Sequence, residues 1–131
     1  MVVDTSALVS MLTGEPDAPK FARLLRDAPE KRMSAANYAE LRIVMLKRTH
    51  QYDPELAPDM VHRAGIEVVS LSKGQADLAA QAYRTYGKGR HRAALNFGDC
   101  FAYALAKHLD VPLLFKGTDF SETDIRAAAE A

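Results

Sequence analysis

Four acids, three at or just past the ends of apolar or helical stretches and one within a helix, are the residues best placed to do chemistry: Asp4, Glu40, Asp99 and Asp119. Asp4 closes the run Met1-Val2-Val3 and is followed by two hydroxyl residues, Thr5 and Ser6. Glu40 lies in a helical stretch, with Ala36, Ile43 and Val44 three or four residues away on what reads as one apolar face. Asp99 follows Gly98 at the start of another helical stretch, and Asp119 comes shortly after the apolar run that ends at Phe115. Singly, each has an ordinary use: a helix cap for Asp99, a turn for Asp119, a surface ion pair for Glu40. Gathered at one place, four carboxylates cannot all stay ionised without a compensating charge. A hard divalent cation supplies it, because Mg²⁺ takes oxygen ligands and retains several waters. Such a centre activates water and neutralises a phosphodiester transition state, with one ion or two.

The elements that would gather these acids can be read in order. Met1-Val2-Val3 is a candidate buried strand, placing Asp4 at its carboxyl end, where open α/β sheets hold their ligand crevices. Thr5 or Ser6 then caps a helix through Leu12, and Phe21, Leu24, Leu25 and Ala28 recur at helical spacing until Pro29. Lys31 to Ser34 is a weak strand, and Ser34 or Ala35 opens a helix to about Thr49. Asp53-Pro54 starts a helix that ends at Gly65, and Ile66 to Val69 is a strand. Ser72 to Gln75 fits a capping box, with Ala76, Ala79, Ala80 and Tyr83 as the buried stripe behind it. Gly87 to Phe97 reads as an exposed loop, Asp99 begins a helix, and Val111 to Phe115 is the last strand. Strands alternating with helices indicate a single α/β domain over residues 1–131. Its central, mainly parallel sheet has four or five strands, with helices on both faces.

Composition narrows the classes. The chain has 131 residues, enough for one core, and its 17 basic and 17 acidic residues leave no net charge that would demand a polyanionic partner. Locally the balance breaks: Leu78 to Gly98 contains no acid, while Arg84, Lys88, Arg90, His91 and Arg92 fall within it. These become candidate substrate-phosphate contacts if the stretch flanks an active site. Cys100 is the only cysteine, which rules out an internal disulfide and argues against a thiolate zinc site; with no evident base beside it, it reads as core. No apolar run reaches membrane-span length and no signal-peptide pattern is seen, so a cytoplasmic location is expected. No glycine-rich phosphate loop with its lysine is present.

The motifs Val3-Asp4-Thr5-Ser6-Ala7, Glu40-Leu41, Leu95 to Ala106, and Leu113 to Phe120 resemble, in order and across the chain, a PIN-domain ribonuclease of the VapC toxin type. The resemblance implies a Mg²⁺-dependent endoribonuclease, with Mn²⁺ able to substitute, that leaves 5′-phosphate and 3′-hydroxyl ends. It aligns Asp4, Glu40, Asp99 and Asp119 with the family's acidic quartet, and Thr5 or Ser6, with Thr118, as supporting hydroxyls. It also implies an RNA substrate, inhibition by a VapB-like antitoxin encoded beside it, a homodimer and higher toxin–antitoxin assembly. The antitoxin is expected to insert an arginine among the acids and to cover apolar surface along Leu8, Leu12 and Phe21. Two departures stand out: Arg92 occupies a position where many relatives carry proline, and Thr118 replaces a frequent asparagine. Two other classes compete. A phosphoaspartate phosphatase also begins with a strand-end aspartate but wants a second acid where Ser6 stands, and a non-catalytic RNA-binding module would use these acids only as caps.

Overall fold

The structure, a computed structural model, describes residues 1–128; Ala129, Glu130 and Ala131, the end of the expected domain, lie outside the described residues. Strands β1 (Val2–Val3), β2 (Arg32–Ser34), β3 (Glu67–Val69) and β4 (Leu113–Leu114) form one parallel sheet in the order β3-β2-β1-β4. Between and around them run α1 (Thr5–Leu12), α2 (Ala18–Asp27), α3 (Ala35–Leu46), α4 (Leu56–Arg63), α5 (Lys73–Tyr86) and α6 (Phe97–Leu109). A 3₁₀ turn covers Asp119–Glu122, and the tail adds an isolated parallel bridge from Leu113 to Ala127.

The period-two alternation of strands divides the core. Val2 and Leu113 point to one face, where they pack with Ala102, Leu105 and Ala106 of α6. Val3 and Leu114 point to the other, among Leu8, Phe21, Leu25, Leu41 and Met45 of α1, α2 and α3. Each of these four strand residues is essentially inaccessible to solvent, and full burial of a Val or Leu contributes about 1.5–3 kcal/mol. The central β1 and its neighbour β4, each only two residues long, place their carboxyl ends side by side at one edge. A charge substituted at Val2 or Val3 would have no partner in either core.

Several sequence expectations shift by a few residues, for one recurrent reason. The face expected to hold Glu40 with Ile43 and Val44 is not the buried one: α3 buries Asn37, Leu41 and Met45, Glu40 stands on the flank, and Ile43 is 52% exposed. In α5 the buried stripe is Gln75, Ala79 and Ala82, whereas Ala76, Ala80 and Tyr83 line an open cavity of about 620 Å³ that reaches Phe97 and Phe101 of α6. In both helices a buried polar residue begins the core stripe, and its polarity hides it from a reading of apolar spacing.

The segment before α6, expected as an exposed loop, is exposed at Lys88, Gly89, Arg90 and Arg92 and is also tied down by backbone bonds. Leu95 N–H donates to the Tyr86 carbonyl and Lys88 N–H to the Leu95 carbonyl, forming a small bridge between Gly87 and Leu95 that buries Ala93 and Leu95. Helix α6 accordingly begins at Phe97, two residues earlier than Asp99, with Asn96 as its cap. Pro58 falls in the first turn of α4, where its missing N–H costs nothing.

Candidate active site

Asp4 ends β1 and is itself the N-cap of α1, a role expected of Thr5 or Ser6. Its Oδ2 accepts from Ser6 N at 3.0 Å and from Ser6 Oγ at 2.5 Å. Ser6 Oγ in turn accepts the backbone N–H of Lys116 at 2.9 Å, so the hydroxyl joins Asp4 to the end of β4. The side chain is buried, and that desolvation, opposed by the two Ser6 hydrogen bonds and reinforced by the negative charges of Asp99 and Glu40, raises its pKa from 3.8 to about 7.

Glu40 is reached from two sides. Thr5 Oγ1 donates to its Oε1 at 2.6 Å and lies 3.1 Å from the Asn37 carbonyl, while Asn37 Nδ2 approaches the same Oε1 at 3.3 Å. The other Nδ2 proton goes to the Gly98 carbonyl at 2.9 Å, linking α3 to α6. A Cβ at Gly98 would collide with the Glu40 carboxylate as it stands, meeting Oε2 first and falling 2.7 Å from Cδ and 2.8 Å from Oε1. This close approach brings Glu40 to the amino end of α6.

Asp99 is the third residue of α6 and forms a reciprocal capping box with Asn96, its Oδ2 accepting Asn96 N–H and its own N–H donating to Asn96 Oδ1, both at 2.9 Å. Burial, partly offset by the Asn96 hydrogen bond and increased by the charges of Asp119 and Glu40, raises its pKa from 3.8 to about 6. The capping expected of Asp99 is thus real, and it occupies only one of the two carboxylate oxygens. Asp119 opens the exposed 3₁₀ turn and is close enough to raise Asp99 electrostatically. Thr118 makes no side-chain capping bond; the turn is anchored by buried Phe120 and by the Ser121 N–H to the Thr118 carbonyl.

The acids thus share an electrostatic neighbourhood at the carboxyl edge of the sheet, yet no three His, Cys, Asp or Glu side chains among the described residues stand at metal-ligand spacing. Asp4, Glu40 and Asp99 share a pattern: one oxygen of each is held by protein donors. Asp4 Oδ1, Glu40 Oε2 and Asp99 Oδ1 receive no hydrogen bond from the described residues.

The basic stretch lies beside this edge with its charges outward. Arg92 pairs with Glu122 at 2.7 Å, tying the segment to the turn that carries Asp119, and Arg90 lies 6.0 Å over the Tyr83 ring. Arg84 and Lys88 are exposed. His91 Nδ1 accepts the Ala93 N–H at 3.0 Å and its ring stands edge-on to Tyr86, so only Nε2 is left to face outward. Sequence reasoning missed Asn37, Gly98 and Asn96. Only the last carried a visible signal, the Asn-x-x-Asp spacing of a capping box.

A parallel α/β sheet thus carries acids from four segments, Asp4, Glu40, Asp99 and Asp119, near its carboxyl edge. A family model described as PIN domain matches residues 1–126, and the chain belongs to that family, among the VapC-type ribonuclease toxins. It is 50% identical over 129 residues to ribonuclease VapC30 of Mycobacterium tuberculosis, covering 98% of both chains. It is likewise 50% identical over 127 residues to ribonuclease VapC of Mycolicibacterium smegmatis, covering 97% of this chain and 98% of that one. Among solved structures it superposes on Mycobacterium tuberculosis VapC20, described as a sarcin-ricin loop cleaving toxin, with a TM-score of 0.72 and 20% identity over 95% of both chains. It also superposes on a toxin–antitoxin complex from Klebsiella pneumoniae, with a TM-score of 0.69 and 21% identity over 94% of this chain and 92% of that one.

Proposed function

We propose that the chain is an endoribonuclease whose acids work with Mg²⁺ or Mn²⁺, Asp4 and Asp99 serving as principal ligands and Glu40 and Asp119 contributing directly or through water. The observation that carries this reading is the division of labour within Asp4, Glu40 and Asp99, one oxygen held and one uncommitted. The donor set is all oxygen and suits a hard cation. No three of these side chains among the described residues stand at metal-ligand spacing, so in this reading water completes the coordination shell, as it commonly does for Mg²⁺. When bound, the ion would supply Lewis-acid polarisation of the scissile phosphate and a lowered pKa for water.

The chain's own residues do the rest. Ser6 and Asn96 fix the orientations of Asp4 and Asp99, and Thr5 does so for Glu40. Asp4 and Asp99, raised towards neutrality, must lose their protons for cation binding, which links occupancy to pH near 6 and 7. Arg84, Lys88, Arg90, His91 and Arg92 are assigned to the phosphate chain of RNA beside the site, and Thr118 to support of Asp119. Calorimetric titration with Mn²⁺ in the absence of RNA tests the centre: wild-type protein should show a site that Asp4→Asn and Asp99→Asn lose, together with cleavage. Binding that ignores both substitutions would remove it.

A small antitoxin partner is proposed to hold the enzyme inactive, as the toxin–antitoxin nature of the Klebsiella pneumoniae neighbour suggests. An arginine from such a partner matches uncommitted carboxylate oxygens through its planar fork. Leu8 and Phe21 belong to the core and offer such a partner no surface, which corrects the expected apolar path along Leu8, Leu12 and Phe21. Competition between the partner and Mn²⁺ checks the arrangement; equal partner binding by wild-type and Asp4→Asn/Asp99→Asn protein, indifferent to Mn²⁺, would exclude it.

A further inference from the structure

Asn37 is fully buried in α3, three residues before Glu40. Its Nδ2 serves two acceptors from different places in the chain, the Gly98 carbonyl and Glu40 Oε1. Those acceptors fix which way the amide faces, because the reversed amide would set its oxygen against a carbonyl and a carboxylate. Oδ1 is left buried with no hydrogen-bond partner among the described residues. An apolar side chain of the same volume would pack α3 without stranding an acceptor, so packing alone does not account for an amide here. What the amide does that Leu could not is join the two helices at their acid-bearing residues. Gly98 supports this: it lets the Glu40 carboxylate lie against the α6 backbone, and the Asn37 amide then bridges from that backbone to the carboxylate.

We propose that Asn37 is the positioning residue of the centre: by bridging the Gly98 carbonyl and Glu40 Oε1 it sets the separation of α3 and α6. It thereby sets the relation of the Glu40 carboxylate to that of Asp99, one residue beyond Gly98. Thr5 and Asn37 donate to the same oxygen, Oε1, and this leaves Oε2 as the one Glu40 can offer. Loss of the Nδ2 donors would free the Glu40 side chain to turn about its remaining bond to Thr5, and would leave the Gly98 carbonyl unpaired. The inference rests on the reading of these acids as a cation centre.

The test uses the whole chain with Asn37→Leu, which keeps the volume, and Asn37→Ser, which shortens the donor. Mn²⁺ affinity is measured by calorimetry without RNA, alongside melting and the separate kcat and KM for RNA. Both variants should lose roughly ten- to a hundredfold in Mn²⁺ affinity, the range seen when residues that orient metal ligands are altered, with a fall in kcat at an unchanged KM. In a Glu40→Gln background Asn37→Ser should cost clearly less than it does alone, because part of its effect runs through the Glu40 carboxylate. If Asn37→Leu does not fold, Asn37→Ser and the double-variant cycle decide the matter. Wild-type Mn²⁺ affinity in a variant that has only lost melting temperature would overturn the proposal, as would a full further loss in the Glu40→Gln background. Wild-type protein with no Asp4-dependent Mn²⁺ site would remove the cation reading and this inference together, whereas an intact site indifferent to Asn37 removes this inference alone.

Discussion

The acid-bearing edge and the base-bearing stretch meet within a few residues of each other, yet they are held by different means. At the edge the local caps of Asp4 and Asp99 are tied together by bonds between distant parts of the chain: Lys116 to Ser6, Asn37 to Gly98, Thr5 to Glu40. In the stretch from Gly87 to Leu95 they are local, such as Arg90 and His91 N–H to the Gly87 carbonyl and Ala94 N–H to His91, and the arginines project into solvent. Attraction of a phosphate chain acts over a Debye length of about 10 Å and tolerates moving side chains. Orienting oxygens around a reacting centre does not, since displacement on the order of 1 Å costs about a hundredfold. Changes of shape should therefore matter at the edge and changes of charge count in the stretch.

The largest effect tests the edge. Asp4→Asn and Asp99→Asn should each bring RNA cleavage to assay background while leaving the fold intact; near-wild-type cleavage by purified Asp99→Asn protein would contradict the comparison outright. Next comes a change of shape with no change of charge. Gly98→Ala drives a methyl group into the Glu40 carboxylate, which can swing aside, so cleavage should fall roughly ten- to a hundredfold with little loss of melting temperature. A variant that melts far lower and retains its kcat would show that Gly98 serves packing instead.

A smaller effect is written in protons. Asp4 and Asp99 titrate near 7 and 6 in the folded chain, against about 3.8 in the unfolded one. Between roughly pH 4 and pH 7 the folded chain holds protons that the unfolded chain has released. The stabilisation from these two groups is thus fully present at the acid end and is lost as pH rises through 6 and 7. In chelator, the melting temperature should drop over that interval, and Asp4→Asn should flatten the drop; an unaltered profile in that variant would place the dependence elsewhere. Smallest is the response of the stretch. Replacing Arg90 and Arg92 by Gln should weaken RNA binding several-fold and lower the slope of log affinity against log salt by up to about 0.7 per lost contact, with kcat retained. An unchanged slope would assign both to ordinary surface, where the Arg92–Glu122 pair contributes at most about 1 kcal/mol.

What the sequence made visible follows from the same division. Asp4 and Asp119 could be found because apolar runs ended just before them, and the parallel sheet because strand and helix patterns alternate. Asn37 and Gln75 could not, because a polar residue at the head of a core stripe looks like surface until its neighbours across space are known. Gly98 was legible as a helix-start glycine and not as the gap that admits Glu40, since that gap belongs to a residue 58 positions earlier. The basic stretch was readable as charge and as an exposed loop, but not its backbone bridge between Gly87 and Leu95, because such bonds carry no side-chain signature.

Cys100 follows Asp99 on α6, 4% exposed at the floor of the cavity between α5 and α6. Burial first, and the Asp99 charge second, push its thiol up to about 11, so in the closed fold almost none of it is the nucleophilic thiolate. As the chain's single sulfhydryl it is a natural stopwatch: the rate at which a thiol reagent labels it reports how often α5 and α6 part, at the very turn that holds Asp99.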